Sequence, residues 1–184
     1  MTRLIAGAYG GRRIATPSGT GTRPTSDRVR EALFGALGDL AGIRFLDLYA
    51  GSGAIGLEAA SRGASHVLLV ESDPRAGRVI RDNIAALRAG AVARLAPSRV
   101  ESVLPGGPLG DPYDIVVADP PYGATETEIT TLLSGLVEHH WLAEDALVVV
   151  ERSSRSPEPT WVPGLTSERS RRYGETTVWY GRAL

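Results

Sequence analysis

The sequence predicts a single α/β domain with a mostly parallel sheet, and three observations carry that expectation. Short aliphatic runs alternate with longer amphipathic stretches, the rhythm of strands joined by crossover helices. One run, Phe45-Leu46-Asp47-Leu48-Tyr49, passes straight into Ala50-Gly51-Ser52-Gly53-Ala54-Ile55-Gly56, so a strand, a glycine-rich turn and a helix start share one segment. The 184 residues, 42% hydrophobic and 22% charged, suffice for one domain with a full core and fall short of two ordinary ones.

Arg3 to Ile14 reads as two short strands around a Gly10-Gly11 turn, with Arg12 and Arg13 just after the bend. Residues 1–22 then form a basic hairpin extension and 23–184 the core. The first helix is expected from Asp27 to Leu40, where Val29, Ala32, Leu33, Ala36, Leu37 and Leu40 recur at helical spacing. Ser26 or Asp27 can cap it, and its other face carries Arg28 and Arg30. Strands are expected at Phe45 to Tyr49, His66 to Glu71, Ala91 to Leu95, Tyr113 to Ala118, Ala146 to Glu151 and Thr176 to Gly181. Further helices are expected at Ala54 to Arg62, Pro74 to Ala89 and Glu126 to Trp141. Ser153 to Leu165, rich in Pro and Ser, reads as a surface loop before the final strands.

The absence of cysteine excludes disulfides, thiolate nucleophiles and cysteine-based zinc sites. No segment approaches the roughly 18 uninterrupted apolar residues of a membrane span, and the N-terminus lacks the apolar stretch of a secretory signal, so a cytoplasmic location is expected. A net charge of -1 does not by itself suggest a nucleic-acid partner; the placement of charge does. Met1 to Arg30 holds six arginines (Arg3, Arg12, Arg13, Arg23, Arg28, Arg30) against one acid, Asp27, which is six minus one, or +5. All 20 cationic residues are arginine, and a genome biased toward arginine codons is the simplest cause. The clustering at the front is the stronger signal. Arg12, Arg13, Arg23, Arg28 and Arg30 are candidate phosphate contacts, although any one of them alone also fits a solvated or ion-paired surface residue.

Gly51, Gly53 and Gly56 satisfy G-x-G-x-x-G, a pattern that by itself does not separate a nicotinamide dinucleotide from S-adenosylmethionine. Asp47 stands near the carboxyl end of the strand before the loop, where a carboxylate is a poor neighbour for a pyrophosphate and a good one for the ammonium of a methionine moiety. The next strand ends in Val70-Glu71-Ser72-Asp73, and Glu71 there can hold both ribose hydroxyls. Tyr49, Ala50, Gly51, Ser52, Gly53, Glu71 and Ser72 therefore join Asp47 as cofactor candidates. Taken singly, Asp47 and Glu71 also fit helix caps or partners of arginine.

The strand ending at Ala118 leads into Asp119-Pro120-Pro121-Tyr122. The amino group of a heteroaromatic base is a poor nucleophile because its lone pair is delocalised into the ring. Acceptors that hold its hydrogens, the Asp119 carboxylate and the Pro120 carbonyl, localise that pair and aim it. Pro120 and Pro121 stiffen the turn, and Tyr122 offers a face on which an unpaired base can stack. The plainer alternative is a strand-ending turn, since Asp and Pro are common in turns.

With these segments in view, the chain resembles the bacterial RsmD-type 16S ribosomal RNA guanine-N2 methyltransferases, within the wider class carrying Asp/Asn-Pro-Pro-Tyr/Phe. The resemblance runs through Arg3-Leu4-Ile5-Ala6-Gly7, Gly11-Arg12-Arg13, and Thr22-Arg23-Pro24-Thr25-Ser26-Asp27-Arg28-Val29-Arg30-Glu31-Ala32-Leu33-Phe34. It continues in Leu46 to Gly53, Gly56-Leu57-Glu58-Ala59-Ala60-Ser61-Arg62-Gly63-Ala64, Asp119 to Tyr122 and Tyr173-Gly174-Glu175-Thr176-Thr177. It implies a Rossmann-like class I S-adenosylmethionine methyltransferase fold, a seven-stranded mostly parallel sheet with an antiparallel last strand plus the N-terminal hairpin. It also implies S-adenosylmethionine as donor, with Asp119 beside it, N2-methylguanine in small-subunit RNA as product, Thr25 closing over the methionine end, and a hairpin that docks RNA. Where such families often carry an acidic or amide residue after the third strand, this chain has Ala96-Pro97-Ser98-Arg99-Val100, which leaves the cofactor adenine to Ser98 or to backbone groups, with Arg99 beside it a further cofactor candidate.

No metal is expected: His139 and His140 have no ligand partner at useful spacing and read as helix-end residues. Trp141, Trp161 and Trp179 read as packing, and Glu58 as a structural partner. Three competing functions remain: a NAD-dependent dehydrogenase on the same glycine pattern, a non-catalytic RNA-binding assembly module, and an adenine-N6 methyltransferase, for which Asp-Pro-Pro-Tyr serves equally.

Overall fold

The structure is a computed structural model that describes residues 1–18 and 27–184. Arg23, Thr25 and the Ser26 cap lie outside the described residues. The chain forms two compact units, Met1–Ser98 and Arg99–Leu184.

In the first unit, β1 (Thr2–Arg3) pairs antiparallel with β2 (Arg13–Ile14) and is followed by α1 (Asp27–Leu37), β3 (Arg44–Leu48), α2 (Ala54–Ser61), β4 (His66–Val70), α3 (Pro74–Leu87) and β5 (Ala93–Ala96). β4 lies between β3 and β5 and is parallel to both, in register Arg44↔His66 to Leu48↔Val70 on one side and Val67↔Ala93 to Val70↔Ala96 on the other. Parallel strands covered by helices bury both faces, and Phe45, Leu46, Leu48, Val67, Leu69 and Val70 are all buried. α3 begins where Asp73 accepts the Arg75 N–H at 3.0 Å with Pro74 in the first turn, and ends at Arg88 in the left-handed conformation (φ 54°). α1 stops at Leu37, short of the expected Leu40, because Gly38 takes φ 76° and breaks the helical run.

The second unit contains α4 (Val100–Val103), a 3-10 turn at Leu104–Gly106, β6 (Tyr113–Ala118), α5 (Glu126–Glu138), β7 (Leu142–Ser153), β8 (Leu165–Tyr173) and β9 (Thr176–Ala183). β6 and β7 are parallel, and β9 runs antiparallel to both β7 and β8. A capping box starts α5: the Thr125 hydroxyl oxygen accepts the Glu128 N–H at 3.1 Å, and the Glu128 carboxylate accepts the Thr125 N–H at 3.3 Å. The helix ends at Glu138 rather than Trp141, since His140 adopts φ 61° and Trp141 turns inward. There Trp141 stacks on Tyr113 (ring centroids 5.8 Å apart) and donates its indole N–H to the Leu104 carbonyl at 2.8 Å.

Among the described residues the units supply seven strands outside the hairpin, three in the first and four in the second. β8 was not among the strands expected from the sequence, because Thr166 to Arg172 carries no alternation of apolar residues; its pairing with β9 alone makes it a strand. α4 was likewise unexpected.

The N-terminal segment differs from a tight hairpin around Gly10-Gly11: residues 4–12 form a longer connection applied to α2. Glu58, fully buried, accepts the Ile5 N–H at 2.7 Å and the Ala6 N–H at 3.1 Å, and pairs with Arg62 at 2.9 Å. Ser61 donates its hydroxyl to the Ala6 carbonyl and accepts the Tyr9 N–H at 2.9 Å. Gly7, at φ 83°, runs so close that a Cβ there would stand 1.9 Å from the Ser61 carbonyl oxygen. Gly7→Ala should therefore cost about 1–3 kcal/mol, or more, in a urea unfolding series. Gly11→Ala, with φ 81° and nothing within 4 Å, should lose only about 1–2 kcal/mol of backbone strain. Equal midpoints for the two variants would show that the strap is not held against α2.

Candidate active site

In the first unit the chain leaves β3 through Tyr49, whose φ of 59° is left-handed, and then through Gly51 (φ 60°) and Gly53 (φ 84°), the latter at the N-terminus of α2. A non-glycine residue held at positive φ is costly, so the surroundings must enforce it. Gly51 is open on its Cβ side, with nothing within 4 Å, which leaves the loop backbone approachable. Gly56 serves packing instead: a Cβ there would stand 2.8 Å from Leu69 and 3.1 Å from Asp47 Oδ2.

Two carboxylates hold this loop. Asp47, only 3% exposed, accepts the Gly56 N–H at 2.8 Å through Oδ2. Glu71, half-buried after β4, accepts the Gly51 N–H at 2.7 Å through Oε1 and the Asp73 N–H at 2.8 Å through Oε2, so one side chain ties the glycine loop to the turn after the neighbouring strand. Ser72 in that turn is exposed, as are Ser98 and Arg99 after β5. A cavity of ≈ 280 Å³ opens beside Glu71, Ser72 and Pro97, with Gly77 and Arg78 of α3 on its wall; Ser98 and Arg99 do not line it.

Sequence reasoning missed Asn83. It is 4% exposed on the inner face of α3, donates to the Ser52 carbonyl at 3.1 Å and the Ala15 carbonyl at 2.9 Å, and accepts the Ala15 N–H at 2.9 Å. The available signal was its spacing from Ala76, Ile80 and Leu87, which puts a polar side chain on the apolar stripe.

In the second unit β6 delivers the tetrapeptide: Asp119 is half-buried, Pro120 buried, Pro121 exposed, and Tyr122 60% exposed. The Ala124 N–H donates to the Pro121 carbonyl at 2.9 Å and closes the turn. Arg152 of β7, 7% exposed, donates to the Ala124 carbonyl at 3.2 Å and pairs with Glu126 at 3.0 Å, fixing the segment that follows the tetrapeptide. Arg152 was also missed, because one arginine in an apolar strand pattern gives no hint of its partner.

Arg13 and Arg28 are exposed, and exposed Arg12 donates to the Ala86 carbonyl at 3.0 Å. Arg30 corrects the expectation. It is 1% exposed, on the same side of α1 as Leu33 and Phe34, and its guanidinium donates to the Arg3 carbonyl and to Asp27 at 3.2 Å. It pins the hairpin to α1 and is not available to a phosphate. Outside the candidate set, burial, then Arg44 and Arg94, lower the His66 pKa, and burial raises that of Tyr180. Among the described residues no cluster of three His, Asp or Glu could hold a metal ion, and no helix is long and apolar enough to cross a membrane.

Residues 2–182 match the family described as Conserved hypothetical protein 95. The chain is similar to Ribosomal RNA small subunit methyltransferase D of Escherichia coli (strain K12), 41% identical over 159 residues that make 86% of this chain and 78% of that protein. It is 34% identical over 178 residues to the Bacillus subtilis (strain 168) protein YlbH, covering 96% of each. The solved structure of Escherichia coli yhhF superposes with a TM-score of 0.86 at 36% identity, covering 99% of this chain and 97% of that one. The fold expected from the sequence, a seven-stranded α/β methyltransferase sheet with an antiparallel last strand and an N-terminal hairpin, is the fold of this chain. Sequence match and fold agree over nearly the whole length, and the chain belongs to the Conserved hypothetical protein 95 family, the RsmD family of methyltransferases.

Proposed function

We propose that this methyltransferase transfers a methyl group from S-adenosylmethionine to the exocyclic N2 amine of a guanine in small-subunit (16S) ribosomal RNA, in the cytoplasm. The observation that carries the reading is the end of β6, where a half-buried carboxylate, a buried proline and a largely exposed tyrosine follow one another. The name of the Escherichia coli relative supports the ribosomal RNA substrate. Residues 1–184 act in this reading as one methyltransferase domain, with 1–22 as its extension.

The first unit fits the cofactor. Open space at Gly51, a carboxylate at Asp47 and another at Glu71 suit an ammonium and a ribose, and no cation sits among Asp47 to Gly56 to receive a pyrophosphate. Asp47 and the loop from Tyr49 to Gly53 would hold the methionine end, Glu71 and Ser72 the ribose, and the cavity beside Ser72 and Pro97 the adenine. Thr25, outside the described residues, is assigned to closing over the methionine end. When bound, S-adenosylmethionine supplies an electrophilic methyl carbon on its sulfonium.

The chain's own residues prepare the acceptor. Asp119 carboxylate and Pro120 carbonyl take the hydrogens of the base amine, which localises its lone pair; Pro120 and Pro121 keep both acceptors fixed; Tyr122 stacks on the extruded base. The in-line displacement needs orientation more than a strong base, and the proton that the nitrogen sheds on methylation leaves through the Asp119 carboxylate to water. Exposed Arg12, Arg13 and Arg28, with Arg23 beside them in sequence, are assigned to RNA phosphates.

Labelled methyl should pass from S-adenosylmethionine to small ribosomal subunits or their naked RNA and appear as N2-methylguanosine on nucleoside analysis. N6-methyladenine would keep the mechanism and overturn the base, and no transfer to either substrate or to duplex DNA would overturn the reading. Asp119→Ala should lower kcat on the order of 100-fold or more with cofactor affinity nearly unchanged; near-normal turnover would end the amine-orienting role. Replacing Arg12 and Arg13 together with Ala should weaken RNA binding and shrink its salt slope by about 1.4–1.8, and an unchanged slope would remove the hairpin from docking.

A further inference from the structure

We infer that the turn end of the β8–β9 hairpin, with Arg155, Arg171 and Arg172, is a second docking surface for RNA phosphates, separate from the N-terminal arginines. The inference rests on the proposed RNA substrate and goes beyond it by placing a contact in the second unit.

β8 is unusual among the strands of this chain: every residue from Thr166 to Arg172 is exposed, so neither face of that stretch is covered. The connection from β7, residues 154–164, forms no helix that could cover it. Charges along exposed strands commonly serve to prevent edge-to-edge aggregation, and a protective pattern needs no particular distribution along the strand. Here the charges nearer the start of the strand are partnered, and the Arg169 guanidinium lies 4.7 Å over the Tyr180 ring. At the start of the strand Glu168 receives a two-oxygen contact from Arg182 at 2.9 Å and 3.1 Å, which neutralises it. Toward the turn come Arg171 and Arg172, opposite Val178 and Thr177 of β9.

Arg155 joins them through the backbone. The last residue of β7, Ser153, pairs with Thr176, the Ser154 N–H donates to the Glu175 carbonyl at 2.8 Å, and the Arg155 N–H donates to the Ser153 hydroxyl oxygen at 3.2 Å. The Arg155 turn is thus fastened beside the hairpin turn. Three arginines against exposed Glu175 give three minus one, or +2, on a chain whose total is -1. Arg172 is preset, its Nε donating to the Gly174 carbonyl at 3.0 Å, so that the edge between its two terminal nitrogens is the fork suited to a second acceptor.

The strand registers set this surface at the end of the sheet from which β6 runs into Asp119. Ala118 pairs with Val150, β7 continues in the same direction to Ser153, Ser153 pairs with Thr176, and Thr176 pairs with Tyr173 of β8. From β6 across β7 and β9 to β8 is three strand spacings, about 14 Å. A nucleotide chain that presents one base at Asp119 carries its flanking phosphates over such a distance. Forked arginines match phosphate oxygens in geometry, and Tyr173 beside them is half-buried in the ladder opposite Thr176, so the contact positions the RNA and does not read its sequence.

The test measures binding of full-length protein to a small-subunit ribosomal RNA fragment across a salt series, with steady-state methyl transfer on the same fragment. R171A/R172A should weaken binding and reduce the log–log salt slope by about 1.4–1.8, R155A alone by about 0.7–0.9, with KM for RNA raised and kcat at saturating RNA within about twofold of the parent. R171K/R172K should restore most of the slope, and R171E/R172E should bind more weakly than the alanine form. Parent-like slopes and KM in R155A and R171A/R172A, while the parent binds and methylates RNA, overturn this inference alone. A parent protein that neither binds nor methylates RNA overturns the substrate reading and this inference together.

Discussion

A glycine-rich turn at the end of a parallel strand presents several backbone N–H groups with no ladder partner, and its positive-φ residues cannot hold themselves in place. In this chain the acceptors come from outside the loop: Glu71 takes the N–H of Gly51 and Asp73, and Asp47 takes the N–H of Gly56. Both carboxylates stand at or just past the carboxyl ends of neighbouring strands, β3 and β4, whose register fixes their separation. The groups assigned to the cofactor in the proposed function are therefore those that shape the loop. Removing either would disturb the loop's conformation as well as its charge.

The N-terminal extension depends on a related economy of polar groups. Glu58 and Ser61 face outward from a helix whose other residues are nearly all buried, and they meet the backbone of residues 5–9 instead of water. Arg30 closes on the Arg3 carbonyl from α1, and Asn83 closes on both polar groups of Ala15 while reaching the Ser52 carbonyl. Buried polar groups with satisfied partners specify one arrangement, since any slip would strand them without water. The basic extension is thereby a fixed part of the first unit, wired to the helix and loop that follow β3.

The second unit applies the same logic around its tetrapeptide, where Arg152 holds the Ala124 carbonyl and Glu126 while the capping box starts α5 one residue earlier. Arginine accordingly has two roles in this chain. Arg30 and Arg152 are buried clamps on backbone carbonyls, whereas Arg12, Arg13, Arg28, Arg155, Arg171 and Arg172 are exposed. Only burial separates the groups, and burial is set by what each helix or strand packs against.

By itself the sequence determined the fold class, the six strands with aliphatic runs, the glycine loop and the tetrapeptide. Each of these is local, written as periodicity or as a contiguous motif, and β6 matches its expected bounds, Tyr113 to Ala118, residue for residue. Tertiary structure decided what depends on partners distant in the chain. β8 exists because β9 pairs with it, β7 starts at Leu142 rather than Ala146 because β6 offers Tyr113 as a partner, and Arg30 turned inward because the hairpin brought it the Arg3 carbonyl. Asn83 and Arg152 escaped notice for the same reason: a polar residue on an apolar stripe declares that it must be satisfied, and only the folded chain supplies the carbonyl that satisfies it.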